Sequence, residues 1–99
     1  MTIEQKKNGT TVELAVEGRL DTMTAPQMEA TLKQVMDDAE EVLIRFDKLD
    51  YLSSAGLRVL LSAHKVMTKK GGKLTISGVN DTVKEVFDVT GFSDILNIV

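Results

Sequence analysis

Three stretches of the chain, residues 11–17, 42–46 and 73–77, alternate between apolar and more polar residues. A spacing of two is typical of a strand with one buried face. The side chains expected to face the core are those of Val12, Leu14, Val16, Val42, Ile44, Phe46, Leu74 and Ile76. Residues 3–7 are a weaker strand candidate, and residues 48–52 are expected to form a loop or a short extended piece.

The turn between the first two candidate strands is predicted from Asn8-Gly9. Both residue types accept the positive φ of a tight hairpin turn, so the chain is expected to begin with an antiparallel pair.

A first helix is predicted to begin at Thr24. Thr24 is the expected N-cap, Pro26 lies in the first turn, and Gln27 is placed to complete a capping box. The apolar residues that follow recur at helical spacing and form one stripe, namely Met28, Leu32, Val35, Met36 and Ala39. The stripe predicts that this helix packs on the sheet with one side.

Two further helices follow the second and third strands. One is predicted from Ser54 to about Lys70, where Gly71-Gly72 ends it. The other is short and is capped by Asn80 or Asp81. Residues 93–99 are expected to form a last short helix, or else an edge segment of the sheet.

The predicted order β-β-α-β-α-β-α indicates an α/β fold. Parallel strands joined by helices take right-handed crossovers, so strands in sequence order place every helix on the same side. The half-polar strand patterns agree, because a sheet covered on both faces would show continuous apolar runs. We therefore expect one domain over residues 1–99, with a mixed sheet of four to five strands, an N-terminal hairpin followed by βαβαβ, and helices packed mainly on one face.

Composition narrows the classes of function. The net charge is −3, and acidic and basic residues are interspersed, so the basic patch of a nucleic-acid-binding protein is missing. No apolar run approaches the ~20 residues that span a bilayer, and the N-terminus lacks the features of a signal peptide. The chain has no cysteine, which excludes disulfides and thiolate metal sites. We expect a cytoplasmic protein without direct membrane insertion.

The candidate for chemistry is the segment Tyr51-Leu52-Ser53-Ser54-Ala55-Gly56-Leu57-Arg58. It places serine hydroxyls where an extended stretch enters a helix. Backbone N–H groups and the helix dipole, roughly +0.5 charge, favour an anion at that point. Ser54 is expected to cap the helix, and an N-cap serine contributes about 1 kcal/mol relative to alanine. A phosphate on the same serine is compatible with capping and would change the surface that a partner meets.

Four segments together resemble a known family: Gly18-Arg19-Leu20-Asp21, Thr24-Ala25-Pro26, Val42-Leu43-Ile44 and, above all, Ser53 to Leu61. They are similar to the single-domain bacterial anti-sigma factor antagonists of the sulfate-transporter and anti-sigma antagonist (STAS) superfamily, and the resemblance covers essentially the whole chain. It implies partner switching. The unmodified antagonist binds a kinase-type anti-sigma factor, that serine kinase uses ATP and magnesium to phosphorylate the antagonist and break the complex, and a serine phosphatase resets it.

Aligned on Gly56 and Leu57, the family's modified serine falls on Ser54, and its acidic residue before the first helix falls on Asp21. Many members carry an aspartate before the serine, where this chain has Ser53, so Ser53 is a rival acceptor. The resemblance implies a partner-binding set formed by Asp21, Met23, Ser53, Ser54, Ala55, Gly56 and Arg58.

For some members of this set the residues alone leave alternatives. Asp21 either caps a turn or lines the partner surface beside Ser54. Gly56 permits a tight first turn or close approach of a partner backbone. Arg58, four residues after Ser54, is either solvated or pairs with phosphate or a partner carboxylate.

Other classes of function are also considered. A second candidate is a non-catalytic STAS subunit of an ABC-type lipid-transport complex, in which the serine is a cap or a contact only. An enzyme is not expected, because the chain offers no nucleophile–base pair. His64, the single histidine, has no companions at ligand spacing, so no metal or cofactor is expected. The unbound protein is expected to be a monomer.

Overall fold

A computed structural model describes residues 1–99. The chain forms five strands, three α-helices and one short 3₁₀ turn. The strands are β1 (Thr2–Asn8), β2 (Thr11–Leu20), β3 (Glu41–Leu52), β4 (Lys73–Ser77) and β5 (Asn97–Ile98). The helices are α1 (Ala25–Met36), α2 (Ser54–Lys69) and α3 (Asp81–Thr90), and the 3₁₀ turn is Phe92–Asp94.

The strands lie in the sheet in the same order as in the chain, β1-β2-β3-β4-β5. β1 is antiparallel to β2, and every later neighbouring pair is parallel. One cluster of 23 buried apolar side chains joins the inner face of the sheet to all three helices. The other face carries Arg45 and its two carboxylate partners, Glu13 and Asp47. The predicted fold class, with helices on one face of a mixed sheet, is confirmed.

β3 is longer than its alternating segment, residues 42–46, suggests. Its register against β2 slips twice in the second half of the strand, and each slip puts one extra residue into β3. These bulges explain why the inward side chains Phe46, Leu49 and Leu52, all buried, are spaced by three and not by two. Of the two expectations for residues 48–52, the extended piece is right and the loop is wrong.

Asn80 and Asp81 are the two predicted caps of the third helix, and Asn80 is the cap. The side chain of Asn80 accepts a hydrogen bond from the N–H of Val83 at 2.8 Å. The helix ends at Gly91, whose φ of 78° is the left-handed conformation that favours glycine at this position.

The last segment is not the short helix expected over residues 93–99. After the 3₁₀ turn the chain extends into β5, and the N–H of Val99 donates to the carbonyl of Ile76 at 2.9 Å. The alternative of an edge segment is therefore correct. None of the helices is both long and apolar enough to cross a membrane.

Candidate functional site

The candidate site lies at the edge where β2 and β3 end and α1 and α2 begin. Leu20 and Leu52, the last residues of the two strands, are register partners and are buried. Directly beyond them, the N–H of Ser53 donates to the carbonyl of Leu20 at 2.9 Å. This bond ties the residue before α2 to the residue before the β2–α1 turn, so Asp21 and Ser53–Ser54 emerge side by side.

The cap of α2 is Ser53. Its backbone is extended, with φ −99° and ψ 173°, and its hydroxyl oxygen accepts from the N–H of Gly56 at 3.5 Å. Its carbonyl accepts the N–H of Leu57 at 3.0 Å, which is the first bond of the helix. The prediction that Ser54 is the N-cap is therefore wrong by one residue. β3 ends at Leu52 and α2 begins at Ser54, so Ser53 is the single residue between them and takes the cap position.

Ser54 is instead the first residue of α2 and is exposed. The side-chain hydrogen bond of the cap is made by Ser53, and the Ser54 hydroxyl takes no part in it. Ser54 thus stands, exposed, at the positive end of a 16-residue helix.

Gly56 is buried in the first turn of α2, against the ends of the two strands. A Cβ at this position would lie 2.7 Å from Cγ of Leu20 and 2.8 Å from Cδ1 of Leu52. Real side chains do not approach so closely, so the glycine lets the helix start sit directly on these two leucines. Of the two alternatives for Gly56, these contacts support the tight first turn, and close approach of a partner backbone stays a prediction.

The β2–α1 turn is organised by Asp21 and Thr24. One carboxylate oxygen of Asp21, Oδ1, accepts from the N–H of Met23 at 3.0 Å and from the N–H of Thr24 at 3.1 Å. The Thr24 hydroxyl donates to the carbonyl of Arg19 at 2.8 Å and accepts from the N–H of Asp21 at 2.9 Å. Asp21 therefore does cap a turn, the first of the two alternatives for this residue.

This turn also explains why the capping box predicted at α1 is wrong. Thr24 occupies the N-cap position but makes no side-chain cap bond, because its hydroxyl is already used within the turn. Gln27 directs its side-chain amide to the carbonyl of Met1, at 3.5 Å. Pro26 lies in the first turn as predicted.

The same contacts lower the pKa of Asp21 below its ordinary value. The largest cause is the hydrogen bond from the backbone N–H of Thr24, followed by partial desolvation, which opposes it. The N–H of Met23, the Thr24 hydroxyl and Arg19 contribute in the same direction as the first. Each of them favours the ionised carboxylate, so this edge carries a fixed negative charge beside Ser54.

Two residues of the edge that the sequence did not single out are Arg19 and Tyr51. They are register partners on β2 and β3, and Cζ of Arg19 lies 4.2 Å from the centroid of the Tyr51 ring. Nε of Arg19 also lies 3.6 Å from Oδ2 of Asp21. The i, i+2 spacing of Arg19 and Asp21 could have indicated a shared side, but no sequence signal identifies the tyrosine across the strands.

The remaining members of the predicted set differ in exposure. Met23 is 86% exposed, which is unusual for a large apolar side chain, and it projects from the turn beside Asp21. Arg58 is exposed on α2, and Ala55 is half-buried. Exposed Met23 and Tyr51 give the edge an apolar component between its charged groups.

Asp47, the other aspartate with an ion pair, lies away from this edge. Asp47 is paired with Arg45 on the outer face of the sheet, with Nη2 and Oδ2 2.8 Å apart. No group of three carboxylate or histidine side chains is arranged to hold a metal ion. What the edge offers chemically is an open hydroxyl, a fixed carboxylate, a guanidinium and exposed apolar side chains.

A mixed five-stranded sheet with helices on one face, and a serine pair at the start of the second helix, define a small α/β domain. The chain belongs to the STAS domain family, whose model matches residues 2–99. The anti-sigma-B factor antagonist of Listeria monocytogenes is 32% identical over 101 residues, covering 99% of this chain and 88% of that protein.

Two solved structures share the fold. The anti-sigma factor antagonist SpoIIAA in its unphosphorylated form has a TM-score of 0.85 at 18% identity, covering 99% of this chain and 88% of SpoIIAA. The Bacillus cell fate determinant SpoIIAA in its phosphorylated form has a TM-score of 0.77 at 17% identity, covering 99% and 91%. These likenesses extend the resemblance found in the sequence to the whole architecture.

Proposed function

We propose that the protein is an anti-sigma factor antagonist that binds a kinase-type anti-sigma factor while unphosphorylated and is released when Ser54 is phosphorylated. The observation that supports this most directly is the exposed Ser54 hydroxyl at the start of α2, beside a Ser53 that carries the cap. The name of the Listeria relative and those of the SpoIIAA structures favour this function over a subunit of a lipid-transport complex.

In this proposal the protein is a substrate, and its partner performs the catalysis. The Ser54 oxygen attacks the γ-phosphorus of magnesium-bound ATP. An O–P bond to the serine forms, the bond to the β-phosphate bridging oxygen breaks, ADP leaves, and the hydroxyl proton passes to a base of the partner or to water. A serine phosphatase later hydrolyses the ester with water and restores the hydroxyl. Both partners act on the protein in the cytoplasm, where it is a monomer when unbound.

Ser54 is preferred over Ser53 as the acceptor because of its surroundings. The Ser53 oxygen already accepts the N–H of Gly56 and is half-buried against the strand ends. An attacking oxygen must be reached in line by the phosphorus, and the exposed Ser54 is more accessible than the half-buried Ser53.

The added charge explains how one modification ends binding without unfolding the antagonist. A phosphate carries about −1.5 to −2 charges at pH 7, beside the carboxylate of Asp21. A partner that covers Asp21, Met23, Ser53, Ser54, Ala55, Gly56 and Arg58 must either bury or repel that charge. Like-charge contact across an interface costs several kcal/mol, and each 1.4 kcal/mol is tenfold in affinity. We expect affinity to fall a hundredfold or more.

The acceptor is tested by incubating the protein with its cognate kinase and magnesium ATP and mapping the product by peptide mass spectrometry. One phosphate is expected at Ser54 in the wild type, none in Ser54→Ala, and one in the matched control Ser53→Ala. A phosphate on Ser53, or an unchanged yield in Ser54→Ala, would contradict the assignment.

The partner class is tested by comparing what wild type and Ser54→Asp capture from a lysate of the source organism. A histidine-kinase-like ATPase held by the wild type and lost from Ser54→Asp supports the antagonist. Capture of an ABC-type ATPase by both forms alike would point to the lipid-transport alternative.

A further inference from the structure

We propose that Arg19 is a positioning residue that couples the state of Ser54 to the rest of the edge. In the unmodified protein Arg19 holds Asp21 and Tyr51 in place, and a phosphate on Ser54 draws its guanidinium away from both. This inference rests on the proposed phosphorylation of Ser54 and adds to it a change in the surface beyond the phosphate itself.

Arg19 makes two contacts that order neighbouring side chains. Its guanidinium stacks on the Tyr51 ring, 4.2 Å from Cζ to the ring centroid, and its Nε lies 3.6 Å from Oδ2 of Asp21. Oδ2 is the carboxylate oxygen that the backbone of the turn leaves free, since Met23 and Thr24 bond to Oδ1. Arg19 thus contacts both the oxygen and the ring that a docking protein would meet.

The position of Arg19 places it near the modification. It precedes Leu20, whose carbonyl accepts from Ser53, and Ser54 is the next residue along the chain. Tyr51, the register partner of Arg19, lies two residues before Ser53, and Asp21 follows Leu20, whose register partner Leu52 precedes Ser53. A guanidinium held between Tyr51 and Asp21 is therefore at the junction from which Ser54 starts α2.

The contacts of Arg19 are of a kind that a phosphate can replace. The side chain of Arg19 is 61% exposed, so its pair with Asp21 is screened by water and weak. A phosphate dianion offers a bidentate, charge-assisted pair, which is the stronger interaction for a guanidinium. The exposure that weakens the first pair also leaves the side chain free to swing.

Arg58 is the rival cation. It is exposed on α2 four residues after Ser54, and helical side chains lean toward the N-terminus. The other charged group close in sequence, the carboxylate of Asp50, is exposed on β3 and repels a phosphate. Arg58 has no ion pair to lose, whereas a movement of Arg19 also changes Asp21 and Tyr51, so the two arginines predict different measurements.

The test uses the protein with phosphoserine incorporated at position 54 during translation, so no kinase is needed. ³¹P NMR titration gives the second pKa of the phosphate, about 6 for a free phosphoserine. A nearby cation lowers it. We expect a lower value in the wild type than in Arg19→Gln, and the same low value in Arg45→Gln, a matched exposed arginine on the sheet.

A second measurement follows Tyr51 and Asp21, the two residues that Arg19 is proposed to leave. Phosphorylation is expected to shift the Tyr51 ring resonances in the wild type and to leave them unchanged in Arg19→Gln. It is expected to raise the pKa of Asp21 more in the wild type than in Arg19→Gln, because repulsion by the phosphate is common to both and the loss of Arg19 from Asp21 occurs only in the wild type. A purely structural role for Arg19 would not produce this dependence on phosphate. Arg19→Lys keeps the positive charge but loses the planar guanidinium that pairs with phosphate through two N–H groups, so it is expected to retain only part of both effects.

Two outcomes would overturn the inference. One is a second pKa that rises in Arg58→Gln and not in Arg19→Gln, which would assign the phosphate to Arg58. The other is a Tyr51 ring that does not respond to phosphate in the wild type. Failure of a kinase to modify Ser54 would contradict the proposed function but would leave these measurements unaffected, so the two failures are distinguishable.

Discussion

Ser53 and Ser54 carry the same hydroxyl, and the backbone around them gives each a different role. Ser53 has extended dihedral angles and turns its oxygen toward the N–H of Gly56, while Ser54 is the first helical residue and is exposed. Because the roles are divided, Ser53 holds the start of the helix in place and Ser54 presents a reactive hydroxyl. A single serine would have to do both.

The division predicts different effects on stability. Ser53→Ala removes the cap and is expected to lower the free energy of unfolding by about 1 kcal/mol. Ser54→Ala removes a solvated hydroxyl and is expected to change it by less than about 0.5 kcal/mol. Urea unfolding followed by circular dichroism measures both. A larger loss in Ser54→Ala than in Ser53→Ala would show that the cap is assigned to the wrong serine.

The sequence identified the serine pair but not which member caps the helix. Both residues are good caps, and the choice depends on where β3 ends, which is fixed by long-range pairing with β2. Arg19 and Tyr51 show the same limit. The two residues are 32 positions apart in the chain and lie on different strands, and the local sequence around neither residue indicates that they are in contact.

The two bulges in β3 allow this strand to extend as far as the edge of the sheet where the candidate site lies. They let the strand run on past Phe46 while Leu49 and Leu52 still point into the core. The alternation in residues 42–46 was readable because the strand there is regular. Beyond it a spacing of three resembles neither a regular strand nor a helix, so residues 48–52 could not be assigned to one structure from the sequence alone.

This reading of β3 predicts a stability difference between two leucines of one strand. Leu49→Ala opens a cavity under the bulged half and is expected to cost about 2–5 kcal/mol. Leu43, half-buried on the other face, is the matched control, and Leu43→Ala is expected to cost clearly less. Equal losses in urea unfolding would mean that residue 49 does not face the core.

The carboxyl-terminal segment was ambiguous for a different reason. Ile95, Leu96 and Ile98 have spacings that fit a helix as well as a short strand, and β5 is only two residues long. Its extended form depends on pairing with β4 and on the bond from Val99 to Ile76. Both contacts are tertiary, so the sequence could offer only the two alternatives.

For the molecule as a whole, the proposed modification should leave the fold intact. A dianion at the start of α2 interacts favourably with the helix dipole, by about 0.3–1 kcal/mol. For a domain of this size that corresponds to a rise in Tm of about 1–8 °C. Differential scanning calorimetry of protein carrying phosphoserine at position 54 checks it, with unmodified protein as the control. A fall in Tm would contradict a switch that acts only at the surface.

The order of the strands has a consequence for synthesis on the ribosome. Each strand pairs with the one made just before it, so every segment finds its neighbour as soon as it leaves the exit tunnel. No early strand waits unpaired for a late one, and the interval in which a bare edge could recruit another nascent chain is kept short.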